Sequence, residues 1–211
     1  MPKTNYLTHN ACLQCASIDP GCCRRCHPFV LFADIALLLK HCSPKRVVKM
    51  LEVSEISPQY FEHLSDPEMI QVYYPWGGSY FRVQTKFLNG SCIALKPGKG
   101  CVMQKTRPLM CKVFPFWWVE GADLSTKDFA FEINGECTMV TLWKFPISRV
   151  LKELNLSEEQ IREELVMMNK ALDENHKILD EAKNENVPPT KLLNWLINRA
   201  KHVAKIHNNF R

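Results

Sequence analysis

Phe81-Arg82-Val83-Gln84-Thr85-Lys86-Phe87-Leu88-Asn89-Gly90-Ser91-Cys92 is the stretch on which the fold turns. Phe81, Val83, Thr85 and Phe87 alternate with Arg82, Gln84 and Lys86, the two-residue period of a strand with one buried face. Asn89-Gly90 then supplies a tight turn. A second turn at Pro97-Gly98-Lys99-Gly100 falls between Cys92 and Cys101, so these two cysteines are expected to flank the end of a hairpin that brings their sulfurs close. Shorter strands are expected around residues 113–119 and 129–133. Together they predict a small antiparallel sheet carrying Cys92, Cys101, Cys111 and Cys137.

Working outward, the patterns on both sides are helical. Asp34 precedes Ile35, Leu37, Leu38 and Leu39, and Ser43 with Pro44 forms a cap and first-turn pair for a helix through Val47, Val48 and Leu51. Further on, Ser157 and Gln160 match a capping box. Ile161, Leu165, Met168, Leu172 and Leu179 form an apolar stripe interrupted only by Asn175. Pro188-Pro189 ends that stripe, Thr190 is placed to cap a further helix, and Leu193, Leu196, Ala200 and Val203 make a matching stripe. Two such stripes joined by a short loop predict a helical hairpin whose apolar faces pack on each other and on the core. The expected fold class is α+β, with a cysteine-rich, metal-nucleated loop, helices, a small antiparallel sheet and a C-terminal helical hairpin. The expected division is a cysteine-cluster metal-binding domain over residues 1–146 and the hairpin, packed on it, over 147–211.

The 211 residues are 46% apolar, the composition of a folded globular chain. The opening MPKTNYLTHNACLQC has no apolar stretch, and runs such as FPFWWV fall far short of a membrane span, so a soluble, cytoplasmic protein is expected, with no membrane partner. In a reducing compartment, ten cysteines at short spacings point to metal rather than to disulfides. The net charge of +5 lies wholly in the tail. Lys191, Arg199, Lys201, Lys205 and Arg211 stand without acidic neighbours in the last 21 residues, leaving 22 basic against 22 acidic groups in the other 190. Attraction to nucleic acid or to an acidic partner is therefore expected of the C-terminal segment.

Cys12, Cys15, Cys22, Cys23 and Cys26 form one group, and Cys92, Cys101, Cys111 and Cys137 another, with Cys42 alone between them. The Cys12-x2-Cys15 spacing lets a turn aim two thiolates at one ion. The adjacent Cys22 and Cys23 diverge, which disfavours a disulfide between them and suits one metal at an unusual angle or two metals. Gly21 is expected to allow the backbone conformations of so crowded a turn.

Cys12-Leu13-Gln14-Cys15, Gly21-Cys22-Cys23-Arg24 and the apolar stretch to Asp34-Ile35 resemble the opening of the YkgJ-type cysteine-cluster family, a family of zinc- or iron-chelating domains. Gly90-Ser91-Cys92, Gly100-Cys101, Arg107-Pro108-Leu109-Met110-Cys111 and Phe114-Pro115-Phe116 match its second half, with Cys137 in the place of the last cysteine. The gap at residues 16–21 is longer than the family's usual one, and Cys26 and Cys42 lie outside the pattern. The resemblance implies a ligand set of Cys12, Cys15, Cys22, Cys23, Cys92, Cys101, Cys111 and Cys137. Some relatives are described as flagellin lysine methylases, which implies a redox or protein-modifying role.

Eight thiolates can hold two zinc ions, one cubane iron–sulfur cluster with four cysteines spare, or one of each. Iron–sulfur is the narrow preference, on the abundance of thiolates and the lack of a compelling histidine. His9 and His27 are either further ligands or ordinary surface residues. Arg107 offsets the charge of the thiolates, or holds an anionic substrate beside them, or forms a structural ion pair. Phe114, Phe116, Trp117 and Trp118 belong to a core or to a dry shell around the metal. No phosphate loop, dinucleotide fingerprint or nucleophile elbow occurs, and Asp123, Asp128, Glu132 and Glu136 are spaced as exposed charges. Cys26-His27 is the only local candidate for an activated thiol. The competing expectation is a zinc-stabilised binding module that uses the basic helix over residues 190–207 to contact nucleic acid or an acidic partner.

Overall fold

A computed structural model describes residues 21–57, 61, 64–67, 69–96, 100–135 and 137–209. Helices α1 (Cys22–Arg25), α2 (Phe32–His41) and α3 (Pro44–Met50) lead into β1 (Leu51–Glu55), and β2 (Tyr74–Trp76) and β3 (Ser79–Thr85) follow. Four two-residue strands come next: β4 (Phe87–Leu88), β5 (Ser91–Cys92), β6 (Leu95–Lys96) and β7 (Gly100–Cys101). Then come α4 (Leu109–Val113), β8 (Phe116–Trp118), β9 (Phe131–Ile133), α5 (Thr138–Thr141), α6 (Ile147–Leu154), α7 (Glu158–Asn184) and α8 (Pro189–Asn209). The fold class is α+β. Its contacts divide into two units, each discontinuous in sequence: residues 28–86 with 169–209, and residues 21–27 with 87–168.

In the first unit β3 is the centre of a three-stranded antiparallel sheet of order β1-β3-β2. Leu51 stands opposite Thr85 and Glu55 opposite Phe81, while Tyr74 pairs with Phe81 on the other edge. The expected strand forms and ends at Thr85, but its burial does not alternate: Val83, Gln84 and Thr85 are all buried, whereas Phe81 and Arg82 are both half-buried; Phe87 belongs to β4 in the other unit. Lys86 marks the exit, its N–H donating to the Met50 carbonyl at 2.9 Å. The expected helix through Leu51 is also shorter than the sequence suggests. Ser43 and Pro44 stand at its start, though the Ser43 side chain makes no capping hydrogen bond, and it ends at Met50, after which Leu51 and Val53 pair with β3. A free edge on β3 decides the matter, because strand preference is set by the neighbour that a strand finds. Gly77 and Gly78, with φ of 58° and 85°, close the two-residue turn between β2 and β3.

Helix α2 begins after Leu31, whose side chain cannot accept a hydrogen bond. Its first donors are met otherwise: Asp34 Oδ2 accepts the Leu31 N–H at 3.0 Å, and Asn175 Oδ1 accepts the Phe32 N–H at 2.9 Å. Asn175 also donates through Nδ2 to the Gln71 carbonyl at 2.8 Å. The one polar break in the apolar stripe of α7 is thus buried and satisfied. Helix α8 packs on α2 and β1. It buries Leu192, Leu196, Ile197 and Ala200, whereas Leu193 and Val203 are half-buried, so its apolar line is partly rotated from the expected one. Pro189 opens this helix, and Thr190 lies inside the first turn rather than capping it. Glu181 pairs with Arg199 at 2.7 Å and Glu185 accepts from Trp195 Nε1 at 2.8 Å, tying α8 to the end of α7 as a helical hairpin. Ile35, Leu38, Leu51, Leu172 and Leu192 are inaccessible to solvent, each contributing about 1.5–3 kcal/mol relative to an exposed side chain.

The second unit is built from ribbons and short helices. Asn89 and Gly90, with φ of 52° and 72°, make the turn that joins β4 to β5. β6 pairs with β7, Leu95 facing Cys101, on either side of the second expected turn, of which residues 97–99 lie outside the described residues. Cys92 pairs with Phe87 in the β4–β5 ribbon instead, so only Cys101 flanks that second hairpin. The strand expected over 113–119 forms only from Phe116. Pro108 instead opens α4, its carbonyl accepting the N–H of Cys111 at 2.8 Å and of Lys112 at 3.1 Å. β8 pairs with β9, and Phe116 meets Phe131 edge to face at 5.7 Å. Ser157 and Gln160 form the reciprocal capping box: the Ser157 N–H donates to Gln160 Oε1 at 2.8 Å, and the Gln160 N–H to Ser157 Oγ at 3.1 Å. Val113, Phe116, Trp118, Val150, Leu151, Ile161, Leu165 and Met168 are buried in this unit. Among the described residues no helix is long and apolar enough to cross a membrane.

Candidate metal centre

Cys22 and Cys23 occupy the single turn of α1, which closes when the Cys26 N–H donates to the Cys22 carbonyl at 2.8 Å. Cys26 therefore stands one turn beyond Cys22, while Cys23 is rotated away on the helix. Gly21 before them has φ −69° and ψ 155°, an extended backbone open to any residue, so the freedom expected of that glycine is not used. α1 packs on β5, which carries the buried Cys92. The ring of His27 stacks on Phe87 of β4 at 3.8 Å and joins the same ribbon to the end of α1.

Cys111 is the point where the segments meet. Burial pushes its thiol well above the ordinary range, the Arg107 guanidinium pulls it down, and Cys22, Cys101 and Cys92 each push it up again. That is the electrostatic signature of sulfurs close enough for one thiolate to disfavour the next. Four thiols from α1, β5, β7 and α4 thus share a neighbourhood with one guanidinium. The residues before Cys111 explain its placement: Arg107 is extended ahead of Pro108, and Pro108 starts the turn that presents Cys111. The Arg107 guanidinium bears on this thiol electrostatically.

Cys137 is buried at the head of α5, where its carbonyl accepts the Val140 and Thr141 N–H groups. Cys42 follows α2 as its C-cap residue in the other unit and is half-buried. Cys12, Cys15 and His9 lie outside the described residues, as does Glu136. No disulfide joins any of the eight described cysteines. Among the described residues no group of three or more His, Cys, Asp or Glu side chains is arranged to hold a metal ion. The donor chemistry fits a thiophilic metal, and the described thiols share one neighbourhood without forming a closed shell.

Phe116 and Trp118 are core residues, and Trp117 stacks on Trp118 at 4.4 Å. Asp123, Asp128 and Glu132 are exposed, and hydrogen bonds from Ser125 hold the Asp123 carboxyl below its usual range. Of the C-terminal cations, Arg199 is engaged by Glu181. Two features near the thiols were not singled out in the sequence. Glu164 of α7 has a buried Oε2 with no hydrogen-bond partner; burial raises its carboxyl, Lys112 beside Cys111 lowers it, and Glu163 raises it. Residues 21–27 and 87–119, which carry every described cysteine of this unit except Cys137, contain no Asp or Glu. That absence was readable in the sequence but was averaged away in the balanced charge of the first 190 residues.

The fold is α+β, and Cys22, Cys92, Cys101 and Arg107 bear electrostatically on Cys111. Comparison with family models, with curated proteins and with solved structures finds no match to the chain, so the family resemblance rests on its quoted motifs.

Proposed function

We propose that this chain is a metal-binding cysteine-cluster protein, with an iron–sulfur cluster as the preferred occupant and zinc as the alternative. Cys22, Cys92, Cys101 and Cys111 supply the thiolates, joined by Cys12, Cys15, Cys23 and Cys137 from the motif. The observation that carries this reading is the mutual influence of four thiols, from four separate elements, at Cys111. Thiols so placed repel one another once ionised, and a bound cation relieves that repulsion. Arg107 contributes fixed positive charge at Cys111, which favours its thiolate form and offsets the net negative charge of a tetrathiolate site. An iron–sulfur cluster would supply one-electron redox chemistry here, and zinc would supply structural cross-linking or Lewis acidity. A redox or lysine-methylase-like protein-modifying role is the activity that the motif resemblance implies for such a site.

The test is purification without oxygen, followed by a visible spectrum and iron and zinc analysis. Broad visible absorption with stoichiometric iron is expected. Colourless protein with stoichiometric zinc overturns the iron–sulfur assignment, and metal-free protein with oxidised thiols overturns the metal reading altogether. Cys22→Ser, Cys92→Ser and Cys111→Ser should each lower metal content, whereas Cys42→Ser, in the other unit, should not.

A further inference from the structure

Helix α1 carries three thiols on one side of a single turn. Cys22, Cys23 and Cys26 are half-buried, whereas Arg24 and Arg25 are exposed. With about 100° between successive helical residues, Cys26 falls about 40° from Cys22, and Cys23 about 100° from it. The hydrogen bond from the Cys26 N–H to the Cys22 carbonyl, at 2.8 Å, fixes that one-turn relation. Residues so placed have their Cβ atoms about 5–6 Å apart. A disulfide needs about 3.5–4.5 Å, whereas two sulfurs leaning onto one ion, each about 2.3 Å from it, fit the wider spacing. Two histidines four residues apart on one helix face hold zinc in the same way.

The turn is anchored over a further thiol. α1 packs on β5, and the His27 ring lies on the Phe87 ring at 3.8 Å, their planes 20° apart. Phe87 is the cross-strand partner of Cys92, and directly opposed side chains project from the same face of a ribbon. The stack therefore seats the end of α1 on the face from which the Cys92 thiol projects. We infer that Cys26, which the motif leaves out, is a metal ligand that clamps one ion together with Cys22 on the Cys92 face of the β4–β5 ribbon. This ligand extends the metal-cluster reading and depends on it. Among the described residues no three donors already form a closed group, and rotation of two side chains is enough to close the one-turn pair on an ion.

Two measurements on anaerobically purified protein test the assignment. Iron and zinc per chain should fall in Cys26→Ser to the level of Cys22→Ser, while Cys42→Ser keeps the parent value. Iodoacetamide should label Cys26 slowly in the metal-loaded parent and several-fold faster after a strong chelator, whereas Cys42 labels alike in both. Cleavage after Arg24 and Arg25 puts Cys26 on a tryptic peptide apart from Cys22 and Cys23, so mass spectrometry reads it alone. The labelling needs no variant and decides the matter should Cys26→Ser fail to fold by circular dichroism. Parent-level metal in folded Cys26→Ser, metal loss in Cys23→Ser but not in Cys26→Ser, or equal labelling of Cys26 with and without metal overturns the assignment and leaves the cluster reading standing. A parent protein that binds no metal overturns the cluster reading and this ligand with it.

Discussion

Asn175 Oδ1 accepts the backbone N–H of Phe32 at 2.9 Å across 143 residues of sequence, and so caps a helix that lacks a capping side chain of its own. The residue looks like a flaw in the apolar stripe of α7, and a leucine there would complete it. The opposite outcome is expected. Asn175→Leu strands the Phe32 donor and the Gln71 carbonyl in the interior, and each buried polar group left unmet costs about 1–3 kcal/mol. Urea denaturation should show a loss of that order; a neutral or stabilised variant would contradict the assignment.

Gly90 sits at φ 72° with nothing within 4 Å of where a Cβ would be, so a side chain there meets no obstacle, only backbone strain. Gly90→Ala should therefore destabilise by about 1 kcal/mol through conformation alone. Asn89→Gly, which keeps a residue tolerant of positive φ, should have a smaller effect in the same thermal melt.

Glu164 gives a pH dependence of defined sign. Its carboxyl is raised in the folded protein mainly by burial, with Lys112 opposing and Glu163 adding. The folded state then holds the proton more tightly than the unfolded one. This contribution to stability is fully present below the ordinary glutamate value and is lost as pH rises through the folded one. Glu164→Gln should consequently be more stable than the parent at neutral pH, with the difference closing in acid. Denaturation across that range tests it, and a variant less stable at neutral pH would count against a desolvated, unpartnered carboxylate.

Arg107 is predicted to control the thiol of Cys111. Removing its charge in Arg107→Leu leaves burial and the neighbouring thiols unopposed, so the thiol rises further and its thiolate fraction at neutral pH falls. Iodoacetamide labelling of Cys111 in metal-free protein, read by peptide mass spectrometry, should slow relative to the parent. Equal labelling would place the guanidinium elsewhere in solution.

Metal removal should act on one unit before the other. The described thiols of the proposed set all belong to residues 21–27 and 87–168, which also hold Trp117, Trp118 and Trp143. A strong chelator should lower the melting temperature and increase hydrogen exchange in those segments, with little change over α2, β1 and β3. Uniform loosening of both units would show that metal binding is not confined there.

Several elements were readable from short stretches because their determinants are local. The Ser157 and Gln160 box and the Asn89-Gly90 turn form as expected, since each satisfies its own backbone within a few residues, whereas Ser43 and Pro44 take the start of α3 without a capping hydrogen bond from the Ser43 side chain. The Gly77-Gly78 turn carries the same kind of local signal. What local pattern misjudged were boundaries set by partners. Leu51 leaves its helix for β3, residues 81–87 divide at Lys86 between two units, and the strand expected over 113–119 starts only at Phe116 because Val113 ends α4.

By itself, then, the sequence determined the α+β class, the helical C-terminus and the chemistry of the donor set, because periodicity, caps and thiols are properties of neighbouring residues. Only the tertiary structure decided that Asn175 caps α2 and that Cys22, Cys92 and Cys101 bear on Cys111. Those relationships join residues tens to more than a hundred positions apart, and their energies arise from burial and electrostatics that exist only once the chain has closed around them.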